Sequence, residues 1–129
     1  MARQIVLASG SQIRAQMLAN AGIAFEAVSP RVDEDMIKGA LVAEGASPRE
    51  MADTLAEAKA RKVSGKRPDK LVLGCDQVLD FEGQVYSKPQ SPEEAVEQIK
   101  TLRAKRHSLL SAVVIYHQQE PVWRHIGQV

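Results

Sequence analysis

Asp76 is the residue whose surroundings most suggest chemistry. It lies in Leu71-Val72-Leu73-Gly74-Cys75-Asp76-Gln77-Val78-Leu79, a run that is otherwise nearly all apolar. A carboxylate in such a run is costly to bury unless it is paired or meets a cation. The alternative is an acid at a strand end that hydrogen-bonds a neighbouring turn. Gly74, two residues earlier, favours the functional reading because it permits close approach of backbone or ligand. Ser9-Gly10-Ser11 is the second candidate. Backbone N–H groups at a helix start, with two hydroxyls beside them, suit a phosphate oxygen, and Arg14 lies one turn further on, able to project toward the same anion. An ordinary capped turn has the same composition, and no Gly-Lys-Ser/Thr follows to make a Walker loop. Lys88 is held extended by Pro89, and Lys59 falls on an amphipathic stretch. Each is either a phosphate ligand or a surface lysine, and for Lys59 a solvated lysine is the default. Asp33-Glu34-Asp35 offers hard carboxylate oxygens to a magnesium-like cation, or else simply places acids where a helix start favours them. Cys75 reads as an inert core thiol. His107, His117 and His125 are not at metal-ligand spacing and read as structural or surface residues.

These residues need elements to hold them. A short buried strand over 5–8 leads into the glycine-serine turn, with Ser11 as the helix N-cap. Ile13, Met17, Leu18 and Ala21 then repeat at helical spacing until Gly22. Residues 25–28 alternate like a strand. A helix follows the acidic cluster with Met36, Ile37, Ala40 and Leu41, closed by Gly45. Ser47-Pro48-Arg49-Glu50 is a capping box for a helix expected to run to about Val63, with Met51, Leu55 and Ala58 facing inward. The run 71–79 predicts a central strand covered on both faces. Glu82-Gly83 marks a tight hairpin, and Ser91-Pro92-Glu93-Glu94 is a second capping box for a helix with Ala95, Ile99 and Leu102. Strands over 107–116 and 122–126 close the chain. Alternating helices and strands predict an α/β fold.

At 129 residues the chain suits one domain. Its 17 basic and 16 acidic side chains leave a net charge of +1. So even a balance argues against a bulk electrostatic grip on nucleic acid or an anionic membrane. Aromatic residues at 4% are too few for a base-stacking platform. One cysteine rules out an internal disulfide or a multi-cysteine metal site. The apolar stretch 5–8 is shorter than a signal-peptide core, so the expected location is cytoplasmic.

Read in order, the motifs resemble those of the Maf family, the septum-formation-inhibitor-like nucleotide pyrophosphatases. Leu7-Ala8-Ser9-Gly10-Ser11 with Arg14, Leu18 and Ala21-Gly22-Ile23 is similar to the family's opening signature. Val32-Asp33-Glu34 resembles its acidic motif, and Leu55-Ala56 with Lys59-Ala60 its helix motif. Gly74-Cys75-Asp76-Gln77-Val78 stands where the family has Gly-x-Asp-Thr-Val, and Lys88-Pro89, Glu94-Ala95, Leu102-Arg103, His107 and Ser111-Ala112-Val113-Val114 continue the pattern.

The resemblance implies a mixed, strongly twisted sheet flanked by helices, of the Maf/inosine triphosphatase-like kind, incomplete at the C-terminus. It implies hydrolysis of nucleoside triphosphates, often non-standard or modified ones, to monophosphate and pyrophosphate with Mg2+ or Mn2+. Asp76 would then be the general base. Ser9, Ser11, Arg14, Lys59 and Lys88 would hold the triphosphate, and Glu34 with Asp76 the metal. The chain departs from the family pattern in Ser11-Gln12-Ile13-Arg14 and at Gln77, and Ile13 and Gln77 fall at positions linked to substrate choice. Family members continue past this C-terminus, so the exposed sheet edge is an expected site for a partner chain, a homodimer included. The rival expectation is a nucleotide-binding regulator of cell division without strong catalysis.

Overall fold

The computed structural model describes residues 4–86 and 88–129. In chain order the elements are β1 (Ile5–Ala8), α1 (Gln12–Asn20), β2 (Phe25–Val28), α2 (Glu34–Ala43), α3 (Pro48–Lys66), β3 (Leu71–Phe81), β4 (Gln84–Tyr86), α4 (Pro92–Leu102), β5 (Ser108–His117) and β6 (Glu120–Gln128). The helices start on short polar caps. Ser11, Asp33, Ser47 and Ser91 each accept a hydrogen bond from the backbone N–H three residues on, at 3.0 to 3.3 Å. After α1 and α2 the chain leaves through Gly22 and Gly45, both at φ +76°, a conformation that is cheap only without a Cβ.

The strands form one mixed sheet in the order β2-β1-β3-β5-β6, with β4 paired to β3. β1 runs parallel to both β2 and β3, whereas β3–β4, β3–β5 and β5–β6 are antiparallel. From β1 the chain crosses one way to β2, then back over β1 to β3. Right-handed crossovers in opposite directions put α1 and α3 on opposite faces of the sheet.

The core lies between α3 and the sheet. Ala52, Ala56, Ala60 and Val63 of the helix pack with Val6, Ala8, Val72, Val78, Leu110, Ala112, Val114 and Tyr116. The small residues on α3 let it lie close to β3. A Cβ on Gly74 would stand 2.1 Å from the Ala56 carbonyl oxygen and 2.7 Å from the Ala60 nitrogen. The close approach that Gly74 permits is therefore one of backbone to backbone. At the edge of the sheet Arg124 of β6 grips α3, reaching Asp53 at 2.7 Å and Glu57 at 2.9 Å, and the Tyr116 hydroxyl donates to the same Glu57 carboxylate.

Some expectations change. β3 is not covered equally on both sides: Val72, Gly74, Asp76 and Val78 are buried toward α3, but Leu71, Leu73, Cys75 and Leu79 are only partly buried and Gln77 is exposed. Cys75 is accordingly not a core thiol. Ala58 is only partly buried, and it is Lys59 that turns inward. α1 and α4 contribute no buried residue, because helical spacing says which side chains share a face, not whether anything packs on it. Ile13, Met17 and Ile99 are 64% to 74% exposed. The β5–β6 turn uses Gln118 and Gln119, both at positive φ. Their N–H groups donate to the Pro68 carbonyl and the buried Ser64 hydroxyl, which fasten the turn to the end of α3. Among the described residues no helix is long and apolar enough to cross a membrane.

Candidate active site

Chain direction reverses its lateral travel at β1. In open α/β sheets the crevice beyond the carboxyl ends of the strands at such a point is where ligands bind. Ala8 ends β1 opposite Gly74, so the Ser9-Gly10-Ser11 turn and the start of α1 leave the sheet beside Cys75 and Asp76. Ser9 is buried. Its hydroxyl accepts from the Ser11 N–H at 3.1 Å and from the Arg14 guanidinium at 3.5 Å. The turn is thus internally bonded, with Arg14 folded over it.

The centre of the site is Lys59. Its ammonium contacts Glu34 Oε1 at 2.8 Å and Asp76 Oδ1 at 3.1 Å, and donates to the Cys75 carbonyl at 3.3 Å. The local reason is the α3 pattern: Leu55, Lys59 and Val63 are one turn apart on the buried face. The Gly74 contact with the following turn brings that face against β3. Asp76 Oδ2 is buried and has no hydrogen-bond partner among the described residues.

Burial pushes the Asp76 carboxyl above its usual range, and the charge and hydrogen bond of Lys59 offset this only in part. For Glu34 the balance is reversed. Its partial burial acts upward, but Lys59, Lys38 and Arg14 together hold it below the usual carboxylate range. Burial raises the Cys75 thiol against the pull of Arg14 and Lys59. One acid held up beside one held down is an arrangement that separates a proton acceptor from a permanent charge.

The structure brings together Asp76, Glu34 and Lys59, and sets Ser9, Ser11 and Arg14 at the strand end next to them. Of the acidic cluster only Glu34 reaches the site. Asp33 is spent capping α2, and Asp35 is exposed. Lys88 is not drawn into the cluster: it is exposed beyond β4, and no ion pair reaches it among the described residues. β4 itself runs antiparallel to β3, with Tyr86 opposite Leu79. Gln77 faces the opposite side of β3 and donates to the Ser111 hydroxyl at 3.0 Å. Ile13 stands exposed at the start of α1. Lys38 was missed by sequence reasoning, although its charge acts on both Glu34 and Asp76. Its position four residues after Glu34, on the same face of α2, is the signal that marks it.

A family model described as Maf-like protein matches residues 4–129. The chain belongs to this family. The Maf-like chain is 63% identical over 129 residues to a nucleoside triphosphate pyrophosphatase of Ruegeria sp. (strain TM1040), covering 100% of itself and 65% of the relative. It is 55% identical over 129 residues to a protein of the same name from Roseobacter denitrificans, again covering 100% of itself and 65% of the relative. It is 44% identical over 123 residues to a 7-methyl-GTP pyrophosphatase of Rhizobium meliloti, covering 95% and 62%. The Maf-like chain thus spans less than two thirds of the length of these curated relatives. Among solved structures it resembles a Staphylococcus aureus Ham1 protein, with TM-score 0.55, 17% identity and coverage of 98% of this chain and 70% of the other. A Coxiella burnetii HAM1 protein gives TM-score 0.53 at 14% identity, covering 98% and 72%. At such identities the likeness concerns the fold, and it agrees with the mixed sheet flanked by helices expected from the sequence.

Proposed function

We propose that the Maf-like chain carries the reaction centre of a nucleoside triphosphate pyrophosphatase, which splits non-standard or modified nucleoside triphosphates into monophosphate and pyrophosphate. The observation that carries this reading is the buried Asp76 carboxylate, with Oδ1 on Lys59 and Oδ2 unpartnered, at the strand-end crevice of a parallel β1–β3 pair. Asp76 accepts a proton from a water molecule, whose oxygen attacks the α-phosphorus while pyrophosphate departs. Its upward-shifted pKa brings it closer to the operating pH, as a base requires. Ser9, Ser11, Arg14, Lys59 and Lys88 hold the triphosphate, with the α1 N–H groups adding to the cradle. Ile13 and Gln77 bear on the choice of base.

Glu34 and Asp76 fit a divalent cation of the Mg2+ or Mn2+ kind. Both offer hard oxygens, and Asp76 Oδ2 is buried without a partner among the described residues. Among the described residues no group of three or more ligating side chains forms. Magnesium sites of one or two carboxylates completed by substrate phosphates match this donor set. When bound, the cation supplies Lewis-acid charge to the phosphoryl oxygens. The reaction belongs where nucleoside triphosphates are, in the cytoplasm.

The test is pyrophosphate release from a panel of triphosphates, including 7-methyl-GTP, with Mg2+ or Mn2+. Release selective for modified bases supports the reading. Nucleotide binding with no release from any member of the panel refutes it and favours the regulatory alternative.

A further inference from the structure

A lysine ammonium has three N–H donors and no acceptor. All three of Lys59 have partners within 3.3 Å: Glu34 Oε1, Asp76 Oδ1 and the Cys75 carbonyl. The residue is only 8% exposed. A group assigned to a triphosphate is therefore already fully engaged, with two carboxylates and a backbone carbonyl. We propose that Lys59 is an internal stand-in cation: it bridges Glu34 and Asp76 while no divalent cation is bound, and passes to an anionic phosphate when one is. The inference rests on the pyrophosphatase reading for the identity of the anion, but not for the competition itself.

Charge and geometry support it. Two carboxylates share the one ammonium that touches them, with Lys38 and Arg14 acting from further out, so a polyphosphate arriving alone meets a lysine with no N–H to give. Asp76 Oδ2 independently suits a cation. It is buried and has no partner among the described residues, and the lysine has no further N–H to give it. The Asp76 side chain is 11% exposed and that of Glu34 42%, so the Glu34 side offers the way in. The lysine stem is long and flexible, whereas the Gly74 contact locks the α3 and β3 backbones together. The exchange is therefore a side-chain motion. Cation and polyphosphate must then reinforce each other's binding by the same factor.

Mn2+ binding, read as loss of the free-ion electron paramagnetic resonance signal with no nucleotide present, tests the competition. Lys59→Met should bind Mn2+ tighter by about tenfold or more, the scale of a close charge pair. Lys59→Gln serves if the methionine variant does not fold. Equal or weaker binding in the folded variants, or no Mn2+ binding by any form, overturns the proposal. A second arm uses inorganic tripolyphosphate and a chelator in a calorimeter. Glu34→Gln should gain affinity, and the gain should vanish in Glu34→Gln/Lys59→Met. A gain that survives the double substitution shows that Lys59 is not its source and also overturns the proposal. Mn2+ behaviour as expected, with no pyrophosphate release from any triphosphate, removes the catalytic reading and leaves the stand-in cation in place.

Discussion

Asp76→Asn keeps the size of the side chain and removes its ability to take a proton. We expect pyrophosphate release to fall by about 10²–10⁴-fold while nucleotide binding, followed by calorimetry, survives. Undiminished turnover would remove Asp76 as the base. The same carboxyl sets a pH signature in the metal-free chain. Its pKa is raised by burial, so the folded state holds the proton more tightly than the unfolded one. Stability therefore declines as pH rises from the unfolded value of about 3.9 through the folded value. Glu34, with a lowered pKa, works oppositely, adding stability above its unfolded value that is lost as pH falls through the folded one. Urea unfolding in chelator across this window should show the Asp76 decline disappear in Asp76→Asn, and an identical pH profile would refute it. Asp76 and the serine turn could be read from residue type and neighbours, whereas Asp33, Glu34 and Asp35 looked alike and only the family resemblance singled out Glu34. The burial of Lys59 was also written in the chain, since it stands midway between Leu55 and Val63 at one-turn spacing. It was overlooked because an isolated lysine on a helix is usually solvated.

At the scale of elements, caps and breakers were readable because they act locally. A serine hydroxyl needs only the next turn, and a glycine only its own φ. What sequence could not supply was the partner across a face. The stripes on α1 and α4 are periodic but unburied, and the covering of β3 depends on which side α3 lies. Two substitutions probe the element contacts. Gly74→Ala drives a methyl group into the Ala56 carbonyl. It should cost about 1–3 kcal/mol or more of unfolding free energy, measured by chemical denaturation, and a neutral effect would mean that α3 can retreat from β3. The Gln118-Gln119 turn carries two left-handed residues without glycine, a two-residue loop that favours Asn-Gly. Gln119→Gly should therefore stabilise by roughly 1 kcal/mol, seen as a higher midpoint of thermal unfolding. A lower midpoint would show that the glutamine side chain contributes more than its backbone strain costs.

For the molecule as a whole, α3 covers one face of the sheet far more fully than anything covers the other. Val122 and Trp123 on the edge strand β6 are 55% and 53% exposed. Exposed apolar edges invite pairing between copies. We expect Trp123 fluorescence to be readily quenched by iodide in dilute solution and progressively shielded as chain concentration rises. Quenching independent of concentration would argue against a homodimer through β6. The site also has a history in folding. Ile5 must find Leu71 before β1 and β3 can pair, and that long loop closes slowly. Until then the Ser9-Gly10-Ser11 turn does not stand beside Asp76. Under the pyrophosphatase reading, nucleotide affinity should therefore return during refolding with the slowest phase, after most of the helical signal has already recovered.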